Sequence, residues 1–143
     1  MKKFLIYSGS RADYGILKNL IKDLKKNKKI NTKFLVGGSH YANKLNYTFH
    51  EIKKDKVGIN FISKIKLINT SNVEILKFIS KSITDYAKIL KSQKPDVVIV
   101  LGDRYETYAL VIAAYFLIIK IAHIHGGELT NGSFDYSIRH SIA

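Results

Sequence analysis

Short, wholly apolar runs alternate along this chain with longer stretches in which apolar residues recur every three or four positions. The run "FLIY" (Phe4 to Tyr7) gives way at once to "SGSRADYG", the pattern of a buried strand closed by a tight loop. Ile16, Leu17, Leu20, Ile21 and Leu24 then share one helical face, with Asp13 near its start and lysines at its end, where the helix dipole favours each charge. "TKFLVGG" (Thr32 to Gly38) reads as a second strand, again closed by glycines. Together these make a βαβ unit with parallel strands and a right-handed crossover. Between residues 39 and 70 the pattern weakens, and only "NFISKIKLI" alternates as a strand does.

At Ser71 the sequence "SNVE" makes a capping box with Glu74, and the apolar positions from Ile75 through Leu90 predict a helix that stops before Pro95. "DVVIV" (Asp96 to Val100), running on into Leu101, is apolar throughout, as a central parallel strand covered on both faces must be. Gly102 and Asp103 end it. "YALVIAAYFLIIKIAHI" then reads as a buried helix with small residues Ala109, Ala113 and Ala114 towards the sheet, running into a buried strand. Lys120 breaks it, and it falls short of the roughly 20 residues a membrane span requires. Repeated βαβ units predict the α/β class, a Rossmann-like α/β/α sandwich on a parallel sheet. In such sheets the ligand crevice lies outside the carboxyl ends of the strands. There the chain carries "GSRADYG", "GGSH", "GDRYE" and "HIHGGE", so four distant motifs are expected to converge on one cleft.

Composition changes this picture little. A chain of 143 residues with 46% hydrophobic and 24% charged content suits one globular domain. Cysteine is absent, which excludes disulfide and thiolate chemistry, and "MKKFLIYSGS" turns polar too soon for a secretory leader, so a cytoplasmic protein is expected. The net charge of +13 invites a nucleic-acid reading. Its distribution argues against one: the lysines crowd into "KDLKKNKK", "IKKDK" and "KSQK", which read as solvated helix ends and loops. Neither a nucleic acid nor a membrane is the expected partner. Only Arg11, Arg104 and Arg139 are arginines, and all three fall in the Gly- and acid-bearing motifs, where a planar fork can hold phosphate or carboxylate.

The first loop lacks the G-x-G-x-x-G spacing of a dinucleotide site, but it opens a helix N-terminus where backbone N–H groups and Arg11 can hold an anion, unless Arg11 merely pairs with Asp13. Asp103 could simply cap the next helix. Alternatively, "GDRYE" with His123 and His125 as an H-x-H pair is similar to a metallophosphoesterase site, though no Asp-x-His or Gly-Asn-His segment accompanies it. Two histidines two apart on a strand point to the same face. A non-catalytic anion-binding domain is the third reading.

Taken jointly, "SGSRADYG", "GGSH", "KPDVVIVLGDRYE" and "HIHGGELTNGSFDYSIRHSI" resemble the N-terminal domain of the hydrolysing UDP-N-acetylglucosamine 2-epimerases of sialic acid biosynthesis, in motif order and over nearly the whole chain. The resemblance implies the N-terminal half of a GT-B-like two-domain architecture, with residues 1–143 as an incomplete N-terminal Rossmann-like domain and a nucleotide-binding C-terminal domain absent from this chain. It implies conversion of UDP-N-acetylglucosamine and water to UDP and N-acetylmannosamine through a glycal, without metal or NAD, in a homo-oligomer when full length. A variant acting on a 2,4-diacetamido-trideoxy sugar for legionaminic acid belongs to the same class. The implied catalytic residues are Asp103, His125, Glu128 and Asp135; the implied substrate-binding residues are Ser10, Arg11, Asp13, His40, Arg104 and Arg139. His125 stands where some relatives carry glutamate, as in "HIEGGE". An imidazole exchanges protons near neutral pH without the burial a carboxylate needs, so the role can pass to it or be shared with Glu128.

Overall fold

A computed structural model describes residues 1–42, 47–128 and 135–143, with backbone alone at 41, 42, 47, 135 and 136. The elements run β1 (Lys2–Ser8), α1 (Arg11–Lys26), β2 (Ile30–Val36), α2 (Ser39–Ala42), α3 (Tyr47–Lys54), β3 (Phe61–Ile62), α4 (Asn72–Gln93), β4 (Val97–Leu101), α5 (Tyr105–Phe116), β5 (Lys120–Ile124) and α6 (Asp135–Ile142). The five strands form one sheet in the order β3-β2-β1-β4-β5, and every neighbouring pair is parallel. This is the expected Rossmann-like α/β/α arrangement.

Alternation along the strands divides the core into two layers. Leu5 and Tyr7 of β1, Leu35 of β2, and Val98 and Val100 of β4 pack beneath α4, α5 and Ile142 of α6. Ile6, Phe34, Val36, Ile99 and Leu101 face the other way, against Tyr14, Leu17 and Ile21 of α1 and Ile52 of α3. Ala109, Ala113 and Ala114 are buried on α5, which packs closely on α4. Ser71 caps α4 by accepting from the Glu74 N–H at 3.4 Å, but the reciprocal half of the box is missing. The Ser71 N–H donates to Asn69 instead, and the Glu74 carboxylate takes Lys77 at 2.7 Å. Lys94 closes α4 in the left-handed region, with φ of 47°, just before Pro95.

Three expectations need correction. The second strand lies two residues earlier than read, because the chain turns at Gly37 and Gly38. "NFISKIKLI" yields only the two-residue β3, paired with Leu35 and Val36: β2 ends at Val36, so nothing remains for a longer strand to pair with. Finally, the segment from α5 into β5 is not buried throughout. Tyr115, Phe116 and Ile118 are exposed by 70%, 78% and 94%, and among the described residues β5 pairs with β4 alone.

Consecutive connections turn to opposite faces at β1 and β4, which lie side by side although β2 and β3 separate them in sequence. This is the topological switch point, where the loops diverge and leave a crevice at the carboxyl ends.

Candidate functional site

The loop after β1 enters α1 through Ser10, whose hydroxyl accepts from the Asp13 N–H at 3.2 Å, while the Asp13 carboxylate accepts from the Gly9 N–H at 3.2 Å. One orphan donor of the helix start and one N–H of the loop before it are thereby satisfied, and both residues are more than nine-tenths buried. Burial raises the Asp13 carboxyl above its ordinary value, against the lowering effect of these hydrogen bonds. Arg11 does not pair with Asp13; it points outward and meets Glu51 of α3 at 3.2 Å.

His40, at the turn after β2, is fully buried, with Nε2 2.7 Å from the Ser8 hydroxyl. Ser8 in turn donates to the Ser10 carbonyl at 3.2 Å, so the histidine donates through Nε2 and Nδ1 carries the lone pair. Burial, and then the charge of Arg104, push its pKa down to about 4, with the Ser10 carbonyl offsetting part of this. His40 is therefore neutral at pH 7. Ser10, Asp13 and His40, read from sequence as substrate-binding, make the hydrogen bonds that shape these loops at the carboxyl ends of the strands.

The loop after β4 turns at Gly102, φ 76°, and leads into α5. Asp103 is not the cap. Arg104 occupies that position without a side-chain cap bond, and the Asp103 carboxylate instead accepts from Arg139 of α6, whose Nε lies 2.9 Å away and whose Nη2 also reaches it. Arg139 and Asp103 are only 15% and 17% exposed, so the pair is largely shielded from water. Arg139 Nη1 also lies 3.8 Å from Glu128, and Glu128 meets His125 Nδ1 at 2.5 Å. His125, Glu128, Arg139 and Asp103 thus form one connected network across the ends of β4 and β5.

The two histidines of the H-x-H pair occupy different settings. His123 is on β5, its Nε2 2.7 Å from the Gly102 carbonyl, whereas His125 lies past the strand end in a turn with φ of 61°, where the period-two alternation no longer holds. Among the described residues no group of three metal-ligating side chains converges. Asp135 begins α6, but its side chain lies outside the described residues.

One residue that the sequence reading left unnamed is central. Glu106, in the first turn of α5, is 3% exposed, and its Oε1 accepts from Arg104 Nε at 2.7 Å. Burial opposes the charge on Arg104, but Glu106, with Asp13 behind it, more than offsets this and raises the guanidinium above its ordinary value. The available signal was an acid in a helix first turn directly after an arginine-bearing strand end.

Residues 22–143 match the family described as UDP-N-acetylglucosamine 2-epimerase. The polysialic acid biosynthesis protein P7 of Escherichia coli is 39% identical over 142 residues, 99% of this chain and 36% of that protein. The UDP-N,N'-diacetylbacillosamine 2-epimerase (hydrolyzing) of Legionella pneumophila is 35% identical over 143 residues, covering all of this chain and 38% of that one. The crystal structure of the Neisseria meningitidis UDP-GlcNAc 2-epimerase bound to UDP-GlcNAc superposes with a TM-score of 0.80 at 21% identity, again over all of this chain and 38% of that one. The chain therefore spans little more than a third of the length of these relatives.

Proposed function

The chain belongs to the UDP-N-acetylglucosamine 2-epimerase family, and from that premise we propose that residues 1–143 form the N-terminal part of a hydrolysing UDP-sugar 2-epimerase. The substrate is a UDP-2-acetamido sugar. The reaction removes the C2 proton and breaks the C1–O bond to UDP, giving a glycal and free UDP. Water then adds its hydroxyl to C1 and a proton to the opposite face of C2, so the product is the free epimeric sugar.

The C2 proton is poorly acidic and the leaving diphosphate accumulates charge, so the reaction needs a positioned base and fixed cations. The observation that carries the reading is the His125–Glu128–Arg139–Asp103 network, which joins two motifs separated in sequence at the end of the sheet where ligands bind. Glu128 holds His125 through Nδ1, leaving Nε2 on the opposite edge of the ring as the proton-exchanging atom. Asp103, fixed by Arg139, supplies a charge-bearing acceptor in the same network, and Asp135 is the further carboxylate that the family resemblance implies. Arg104 and Arg11 take the diphosphate. The nucleotide base and the closing lid belong to a second half, a reading supported by the length of the relatives, nearly three times that of this chain.

UDP-N-acetylglucosamine is the first substrate; the 35% identity to a diacetylbacillosamine epimerase supports UDP-N,N'-diacetylbacillosamine as the second. Both carry the same C2 acetamido group and differ at C4 and C6. The direct test places residues 1–143 in the E. coli relative in exchange for its matching segment and assays both sugars in D2O. Expected are UDP release and deuterium at C2 of the product. A folded chimera that turns over neither sugar, or a product that keeps its original C2 hydrogen, overturns the reading.

A further inference from the structure

We infer that Glu106 is a positioning residue: it locks the Arg104 guanidinium through Nε and fills the space between the turns after β1 and β2, so that the free edge of Arg104 meets a paired oxyanion. This rests on the nucleotide-sugar reading above and assigns a residue that reading does not use.

The packing leaves Glu106 little freedom. A Cβ on Gly9 would lie 2.8 Å from Glu106 Cγ, and one on Gly38 would lie 2.5 Å from Glu106 Oε1 and 2.6 Å from the Gly9 carbonyl oxygen. The carboxylate thus occupies the volume that two glycines vacate, and a residue on α5 braces the loops of β1 and β2. Its oxygen is tied at 2.7 Å to Arg104 Nε, only two positions away on the rim of the helix. Arg104 itself remains 48% exposed, above a hollow lined by Asp103, Arg104, Tyr105 and Glu106. Among the described residues its two terminal nitrogens meet no acceptor, so a guanidinium held at Nε presents Nη1 and Nη2 as a preformed fork, the geometry that grips two phosphate oxygens at once.

Charge and position predict opposite signs here, which makes the idea testable. Were Glu106 merely a buried negative charge near an anion site, neutralising it would strengthen anion binding. If it holds the fork, neutralising it weakens binding, because the arginine must then be ordered by the ligand.

The full chain labelled with ¹⁵N at arginine gives three Nε–H signals to follow, one for each arginine. In the unsubstituted protein the Arg104 signal should exchange slowly with water and shift on titration with inorganic diphosphate. Glu106→Gln should speed that exchange and weaken diphosphate binding about two- to tenfold, the effect of ordering one long side chain. Glu106→Asp keeps the charge but falls one methylene short, and should bind as weakly. Tighter or unchanged binding in either variant overturns the inference, as does an Arg104 signal indifferent to diphosphate in the unsubstituted chain. Deuterium uptake by the chimera judges the epimerase reading separately, so either can fail alone.

Discussion

On the β1 and β2 side of the crevice, Ser8, Ser10, Asp13, His40 and Glu106 are all at least nine-tenths enclosed; hydrogen bonds link the first four, and Glu106 is tied to Arg104. On the β5 side the His125 and Glu128 side chains are 45% and 60% exposed, and their tie to the body of the protein is Arg139, reaching in from α6. The first side is a template: apart from His40 Nδ1, for which the described residues offer no partner, its polar side chains are hydrogen-bonded within the protein, so its shape cannot adjust without breaking several bonds together. The second leaves the His125 and Glu128 side chains open to solvent, and among the described residues Arg139 ties it to the loop after β4 through Asp103. On the proposed function, shape and chemistry are divided between the two walls.

The sharpest way to break the template is Gly38→Ala. The residue has φ of 57°, and its new Cβ would meet both a backbone oxygen and a carboxylate that cannot retreat. The left-handed conformation and the overpacking together should cost about 4 kcal/mol. Gly15→Ala is the control: its Cβ meets nothing within 4 Å inside α1, and it should stabilise by about 0.5–1 kcal/mol. Urea melts of the pair measure the contrast, and similar effects from both would mean that the turn is not rigid.

His40 tests the same wall by pH. Its folded pKa of about 4 lies below the ordinary 6.5, so the unfolded chain binds the proton more readily in that interval. Its contribution is therefore complete above about pH 6.5, declines as pH falls towards 4, and changes no further below that. Converting the shift gives about 3 kcal/mol at the acid end. His40→Gln should remove this slope between pH 4.5 and 7; an unchanged slope would place the titration elsewhere.

Much of this arrangement could be read from the chain, and the boundary of what could is instructive. The strands β1 and β4 were legible because unbroken apolar runs suit only a doubly covered position, and the crevice followed from the repeated βαβ units, which put the loop motifs at the carboxyl ends. The hydrogen bonds that Ser10, Asp13 and His40 make within their loops were not, because a polar residue in a loop looks the same in the sequence whichever group it bonds. Glu106 was overlooked since a glutamate in a helix first turn is ordinarily explained by the dipole. Its burial depends on Gly9 and Gly38, residues 97 and 68 positions upstream. The brevity of β3 depended likewise on where its partner ended.

On the second wall, Arg139→Met leaves the largely shielded Asp103 carboxylate without its principal partner while retaining most of the side-chain volume. The loss should be about 1–2 kcal/mol, below the figure for a fully buried pair because some solvent reaches both groups. Combining it with Asp103→Asn should recover part of that stability, since no charge is then stranded. Full additivity of the two substitutions would show that the pair does not link the loop to α6.

The smallest expected change in stability accompanies the largest separation of shape from chemistry. His125 is a non-glycine residue at φ of 61°, half-exposed, with one exposed partner. His125→Gly relieves that backbone strain and adds unfolded-state entropy, two opposing effects that should leave stability within about 1 kcal/mol of the starting value. If the β5 wall carries the proton transfer, the same substitution in the chimera should lower turnover by about 100-fold or more, with substrate affinity little altered. A loss of stability without loss of turnover would reverse the division, making His125 another part of the template.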